Sequence, residues 1–271
     1  MTIFDFHVHA FTDQLAERAL AGLSDTSGIT PATDGTVSGL RSLLRKRGIS
    51  GGLLLPIATK PAQQTTINNW AAEIMVDGLL CCGTVHPDAP DVLEEVSRIR
   101  SLGLYGVKFH PEYQFFSPDE HKMFPIYERI AAEDLIAVFH AGWDPYGKER
   151  PLAPPQSFAN IAGMFPQMKI VAAHMGGIKL WDDVEKLLAG RYDNLWFDTG
   201  VVSKYISDEQ FLRIIRKQGI ERVLFGSDCP WDDPGGEISL LRRLPLTDAE
   251  LERIFFRNAE ELLDLKLSGQ I

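Results

Sequence analysis

Two histidines one residue apart, His7 and His9, stand in the opening stretch T-I-F-D-F-H-V-H-A, Thr2 to Ala10. On a strand, residues two apart share a face. The two imidazoles therefore project side by side from the carboxyl end of a short β-rich run. Two neutral imidazoles held that way are half of a metal site. Taken alone, the pair is equally a pair of packed or surface histidines. Position decides between these readings. His86 follows the apolar run Leu79 to Val85. Lys108 and His110 stand at the end of Tyr105 to Phe109, His140 after Leu135 to Phe139, and His174 after Lys169 to Ala173. Asp228 follows Arg222 to Phe225. Six of the 7 histidines thus fall at carboxyl ends of predicted strands, and a lone packed histidine does not explain six such placements.

The elements that must position these groups alternate. Strands are predicted at Ile3–Phe6, Ile49–Ile57, Leu79–Val85, Tyr105–Phe109, Leu135–Phe139, Lys169–Ala173, Leu195–Asp198 and Arg222–Phe225. Helices are predicted at 37–47, 63–76, 89–101, 125–133, 157–165, 181–189, 208–217, 238–243 and 247–263. Gly48 ends the first of these in the C′ manner. Ser207 caps Asp208–Lys217, and Thr247 with Glu250 forms a capping box. Thr12 to Gly39 reads as a long loop with a short helix at Leu15–Leu20, and Trp143 to Pro155 as a Pro/Gly-rich loop. Apolar strands alternating with helices mean an α/β fold with a parallel sheet covered on both faces. Eight repeats in 271 residues give a single-domain (β/α)8 TIM barrel spanning 1–271, with every strand's carboxyl end on one rim. The rival, an open doubly wound sheet, lacks its Gly-rich fingerprint after the first strand.

Composition narrows the partners. A net charge of −10 argues against a nucleic-acid footprint, and no uncharged apolar run reaches transmembrane length. The partner expected is a small-molecule substrate; a homo-oligomer is compatible. Cys81, Cys82 and Cys229 form no CxxC motif, and an odd, sparse set fits a reducing compartment. With no signal-peptide pattern before the first strand, the expected location is the cytoplasm.

H-V-H on the first strand, His140 and His174 on the fifth and sixth and Asp228 on the eighth resemble the amidohydrolase superfamily. G-V-K-F-H-P, F-H-A-G, A-A-H-M-G-G and F-G-S-D-C-P-W look like its amidohydrolase-related branch. That branch holds predicted metal-dependent hydrolases and aromatic and aminocarboxymuconate-semialdehyde decarboxylases. The resemblance runs from Phe4 to Leu263 and implies one divalent metal on His7, His9, His140 and Asp228. Zinc suits three nitrogens and one oxygen with an open position; manganese and iron fit as well. A water acidified by the metal would give its proton to Asp228, which returns it to the leaving group. His174 either binds a second metal or, as preferred here, orients water or polarises substrate. Lys108 is a carboxylated bridge between two metals, a structural lysine or, as preferred, an ammonium that binds substrate.

His110 shares the Lys108 face by alternation and reaches the pocket with it. Trp143, Trp181, Trp231, Tyr113, Phe115 and Phe116 either line a pocket for an unsaturated substrate or fill space. Asp5 shares the His7 face deeper in the barrel, orienting a ligand or pairing as a buried acid. His86 reads equally as a turn residue, His121 and Arg150 as solvated, and Cys229 as packing. The leading expectation is hydrolysis of an ester, lactone or amide. The alternative is non-oxidative decarboxylation of a small aromatic or unsaturated acid. A non-catalytic metal-binding barrel would have to keep this whole set idle.

Overall fold

In the computed structural model, which describes residues 1–76, 78–147 and 150–265, short buried strands alternate with helices. The strands are β1 (Phe4–Val8), β2 (Gly51–Leu54), β3 (Leu79–Cys81), β4 (Gly83–Thr84), β5 (Gly106–Phe109), β6 (Ile136–Phe139), β7 (Lys169–Ala172), β8 (Leu195–Asp198) and β9 (Val223–Leu224). All pair in parallel, in the orders β1-β2-β3 and β4-β5-β6-β7-β8-β9. The run Leu79–Val85, expected as one strand, is divided at Cys82 into β3 and β4. Cys82 N–H still donates to Leu54 O at 2.9 Å, and Tyr105 N–H to Cys81 O at 3.0 Å, so the two pieces occupy one stave between β2 and β5. At the other seam, Phe6 N–H donates to Phe225 O (2.8 Å), Asp228 N–H to His7 O (2.8 Å) and His9 N–H to Cys229 O (2.6 Å). The last strand is thereby bonded to the first, and the staves form a (β/α)8 TIM barrel.

Two apolar layers hold it. The inner one is Phe4, Phe6, Leu53, Leu55, Val138, Val171 and Leu224, floored by Phe256, Ala259 and Leu262 from the last helical stretch. The outer one joins strand faces to helices: Phe109 stacks on Phe139 with centroids 5.0 Å apart, and both meet Tyr127 edge-on. Burying aromatic rings this completely is worth several kcal/mol each.

β1 departs from simple alternation. Asp5 pairs with Gly52 and Val8 with Leu54, so β1 spends three steps where β2 spends two. This extra residue is a bulge, which re-aims the side chains that follow it. Phe6 stays with the inner layer and Val8 with the outer one, while His7 enters the barrel mouth. The expectation that Asp5 shares the His7 face is therefore overturned. Its carboxylate instead accepts from Ser227 N–H at 2.9 Å and His7 N–H at 3.2 Å, across the β1–β9 seam. Burial pushes the Asp5 carboxyl up to about 7.

In the stretch 12–39 the short helix expected at Leu15–Leu20 forms and runs longer, over Asp13–Ser27. Leu15, Ala16, Ala19 and Leu20 give it helical spacing, and Gly28 closes it in the left-handed conformation at φ 70°. The Gly, Ser and Thr content after Leu20 masked its remaining turns. The aromatic loop after β5 likewise contains a short helix, Pro111–Gln114. The caps at Ser207 and Thr247 form as expected. The final helix is interrupted by a π-helical turn at Arg253–Arg257.

The helix Pro234–Arg243 braces the loop after β8 from outside. Glu237, fully buried, accepts from Ser203 N–H at 3.0 Å. Burial raises its carboxyl from 4.5 to about 8. Between these values the unfolded chain loses the proton while the folded chain keeps it, so stability falls as pH rises through this window. Glu237→Gln removes that loss. Thermal melts of both proteins should show the variant gaining on wild type from pH 5 to pH 9, by on the order of a few kcal/mol; a pH-independent difference would contradict a neutral buried carboxyl.

Candidate metal centre and active site

The carboxyl ends of the strands open on a cavity of about 120 Å³. His7, His9, Lys108, His110, His140, His174 and Asp228 all line it, with Trp143 at its edge. His7 and His9 come from the end of β1, Lys108 and His110 from β5, His140 from β6, His174 from β7 and Asp228 from β9.

At the centre is a trio. His7 Nε2 and His9 Nε2 lie 3.1 Å apart, and Asp228 Oδ1 lies 3.1 Å and 3.0 Å from them. The outer nitrogens are already committed. His7 Nδ1 is 2.9 Å from Asp198 Oδ2, and His9 Nδ1 is 2.7 Å from Leu55 O. These acceptors hold each proton on Nδ1 and turn the Nε2 lone pair toward the cavity. Three electron-rich atoms then face one another, which is unfavourable unless a cation sits among them.

Protons fill that need only in part. Burial holds the His9 imidazole down to about 4. For His7, burial and Lys108 push downward, but Asp198 and Asp228 outweigh them and raise it. Burial would raise Asp228, yet His7 and His9 bring it well below the carboxylate range. At neutral pH this leaves an ionised aspartate and a neutral His9, with His7 the one member of the trio that its neighbours favour in the protonated form. The donor set, two imidazoles and a carboxylate, fits a divalent cation.

His174 and His140 form the next layer. His174 Nδ1 is 2.8 Å from Gly200 O, so its Nε2 is an acceptor, 3.1 Å from His140 Nδ1. His140 then donates from Nδ1 and keeps a buried Nε2 with no partner among the described residues. That orphan is what a metal ligand looks like without its metal. The structure groups His140 with His110 and Asp144, however, and not directly with His7, His9 and Asp228. His174 groups with His7 and Asp198. The one lone pair of His174 Nε2 is taken by His140 Nδ1–H, and its Nδ1–H by Gly200 O. In this arrangement His174 fixes the ring of His140 and aims the His140 Nε2 lone pair into the cavity.

Lys108 is buried with Nζ 3.3 Å from His7 Nε2. Burial lowers it to about 8, which leaves it mostly charged at neutral pH. His110 lies between Tyr113 and His140, stacked at 3.6 Å and 4.3 Å. Its Nε2 is 3.6 Å from Asp144 Oδ2.

The backbone is strained at two of these groups. His174 and Asp228 both adopt positive φ, 57° and 63°, at about 1–3 kcal/mol each for a non-glycine residue. Gly226 allows β9 to approach β1: a Cβ there would sit 2.8 Å from His7 Cβ.

Sequence reasoning found no second carboxylate here; the structure supplies Asp198 and Asp144. Asp198 was visible as the acid ending L-W-F-D at a strand's carboxyl end. It accepts from His174 N–H and Gly200 N–H at 3.0 Å each with one oxygen while holding His7 with the other. Asp144, directly after Trp143, had no strand to mark it. Other candidates lie elsewhere. His86 Nδ1 accepts from Asp88 N–H at 3.2 Å, a turn contact. Phe115 is 77% exposed, whereas Phe116 is in the outer core. Arg150 and His121 are exposed. Trp181 braces the site, its Nε1–H donating to His174 O at 3.1 Å. Trp143 carries Lys179 Nζ 3.5 Å above its ring.

A family model described as amidohydrolase (Amidohydro_2) matches residues 4–265. The chain belongs to the amidohydrolase family. No curated protein matches it significantly. Solved structures share the fold. An uncharacterised TIM-barrel protein from Bordetella bronchiseptica superposes with a TM-score of 0.81 at 17% identity, over 97% of this chain and 99% of that one. A probable 2-pyrone-4,6-dicarboxylic acid hydrolase from Acinetobacter baumannii, with citric acid bound, gives 0.70 at 16% identity, over 98% and 100%. The 5-carboxyvanillate decarboxylase of Novosphingobium aromaticivorans, complexed with manganese and 4-hydroxy-3-methoxy-5-nitrobenzoic acid, gives 0.73 at 15% identity, over 97% and 96%. Among the described residues no helix is long and apolar enough to cross a membrane.

The Asp198–His7 contact yields a prediction. In Asp198→Asn an amide donor can face His7 Nδ1 and shift the ring proton to Nε2, where it blocks the trio. Affinity for manganese or zinc, measured by calorimetry on metal-free protein, should fall about 10–100-fold. Unchanged affinity would refute the tautomer-holding role.

Proposed function

We propose that this amidohydrolase is a metal-dependent hydrolase of a small-molecule ester, lactone or amide. The observation that carries the reading is the lone-pair trio of His7, His9 and Asp228 at the barrel mouth. His7, His9 and Asp228 would hold the divalent cation, with His140 Nε2 as a further ligand and zinc, manganese or iron as the ion. When bound, that cation supplies Lewis acidity, bringing a water's pKa toward about 7, which narrows the gap to a base as weak as Asp228.

The residues do the rest. Asp228, ionised at neutral pH, takes the proton of the attacking water and returns it to the leaving oxygen or nitrogen. His174 Nε2 accepts from His140 Nδ1–H and so keeps the His140 Nε2 lone pair aimed at the cation. Lys108, charged and buried, binds the substrate's carbonyl or carboxylate oxygen, where low dielectric strengthens the contact. Asp198 keeps His7 in its working tautomer.

A second reading, decarboxylation of a small aromatic or unsaturated acid, is favoured by Asp144. Burial raises this carboxyl to about 6, so it can carry a proton near neutral pH. In that chemistry the bond to the carboxylate breaks, carbon dioxide leaves and an acid protonates the carbon.

The deciding experiment is a panel of lactones, esters, amides and aromatic acids, run on protein loaded with zinc, manganese or iron. Acid release without carbon dioxide is expected. Carbon dioxide release would replace hydrolysis by decarboxylation, and full activity after chelation would overturn both. Asp228→Asn should lower kcat by about 10²–10⁴ while the protein still takes up some metal; wild-type turnover in that variant would remove Asp228 from proton transfer.

A further inference from the structure

The catalytic cavity is small for a whole substrate. At about 120 Å³ it holds a reacting group, whereas small-molecule sites usually span roughly 300–1,000 Å³. Beside it lies a second chamber of about 430 Å³. The two share His9, Ile57, Tyr113, Tyr146 and Trp231 as walls, so they adjoin at the edge of the trio.

The chamber runs between the helices Asp13–Ser27 and Gln64–Ile74. Phe11, Leu15, Leu55, Ile67 and Trp70 form much of its wall. Leu15 is 47% exposed, and Ile67 and Trp70 are half-buried, so large apolar side chains face unfilled space. Tyr146 O–H donates to Gly22 O at 2.8 Å, tying the loop after β6 to the first helix beside the junction. Apart from the shared tyrosines, His9 and Arg18 are the ionisable groups in the wall. The chamber therefore has binding surface but little chemistry of its own.

We infer that the substrate is a carboxylic acid or acyl derivative bearing an apolar arm, and that this arm lies in the side chamber while the acyl carbon sits at the trio. This rests on the proposed reaction centre but does not depend on which bond is broken, because carboxylates are ligands for either chemistry.

The test is calorimetric binding of acetate, butanoate, hexanoate and octanoate to the metal-loaded protein. Wild type should gain about fourfold in affinity per methylene until the chamber is full. Ala19→Phe and Ile67→Trp narrow the chamber from opposite helices at half-buried positions. Each should keep acetate within about twofold and flatten the rise for the longer acids, with thermal melts confirming that the variants fold. A flat wild-type series, a series undetectable even at octanoate, or a rise unchanged in both folded variants would overturn the inference. No turnover is read, so failure of the hydrolase reading would leave this result standing.

Discussion

The hydrogen bonds between the first strand and the last govern everything at the barrel mouth. Asp228 N–H reaches His7 O, and His9 N–H reaches Cys229 O. Those two bonds fix the height of β9 against β1, and with it the separation of the Asp228 carboxylate from both imidazoles. Gly226 permits the approach, since any side chain there would collide with His7. Asp5 stitches the same seam from the far side through Ser227 N–H. The geometry of the trio is thus a backbone property first and a side-chain property second.

That seam concentrates unfavourable electrostatics. Three lone-pair atoms meet, a lysine is buried beside them, and two further histidines are held neutral by burial. His174 and Asp228 add backbone strain. A fold with only a few kcal/mol to spare carries such a cluster because two complete apolar layers surround it. Phe4, Phe6 and Val138 close the barrel beneath the site, and the Phe109–Phe139 stack ties its wall to the helices. Below the rim the barrel is a packed solid, so the chemistry is confined to the mouth.

The barrel was legible in the chain because its strands are apolar runs of regular spacing, and the rim because polar residues interrupt those runs only at their ends. His7, His9, Lys108, His110, His140, His174 and Asp228 could therefore be brought to one cavity from sequence. Other features left no such mark. The β1 bulge has no signature within F-D-F-H-V; it exists only relative to β2, and it is what sends Asp5 to the seam. Asp198 ends L-W-F-D with no histidine or second acid beside it, and a lone acid at a strand end carries no mark of its partner. Asp144 is placed by a loop whose path is set by tertiary contacts, such as Tyr146 on Gly22. The helix Asp13–Ser27 was legible only at Leu15–Leu20; its second half was hidden by turn-forming residues whose preferences tertiary packing overrode.

The distance along the chain between the two halves of the trio has a consequence for how the protein is made. His7 and His9 leave the ribosome well before Asp228, which follows more than two hundred residues later. At about 5–20 residues per second the histidine pair waits on the order of ten seconds or more for its carboxylate. Throughout that interval β1 lacks the strand that aligns it, so a metal ion meets only a loose pair of imidazoles. Under the proposed metal chemistry, ion capture at full affinity therefore waits for Asp228, and metal choice belongs to the folded barrel rather than to the nascent chain.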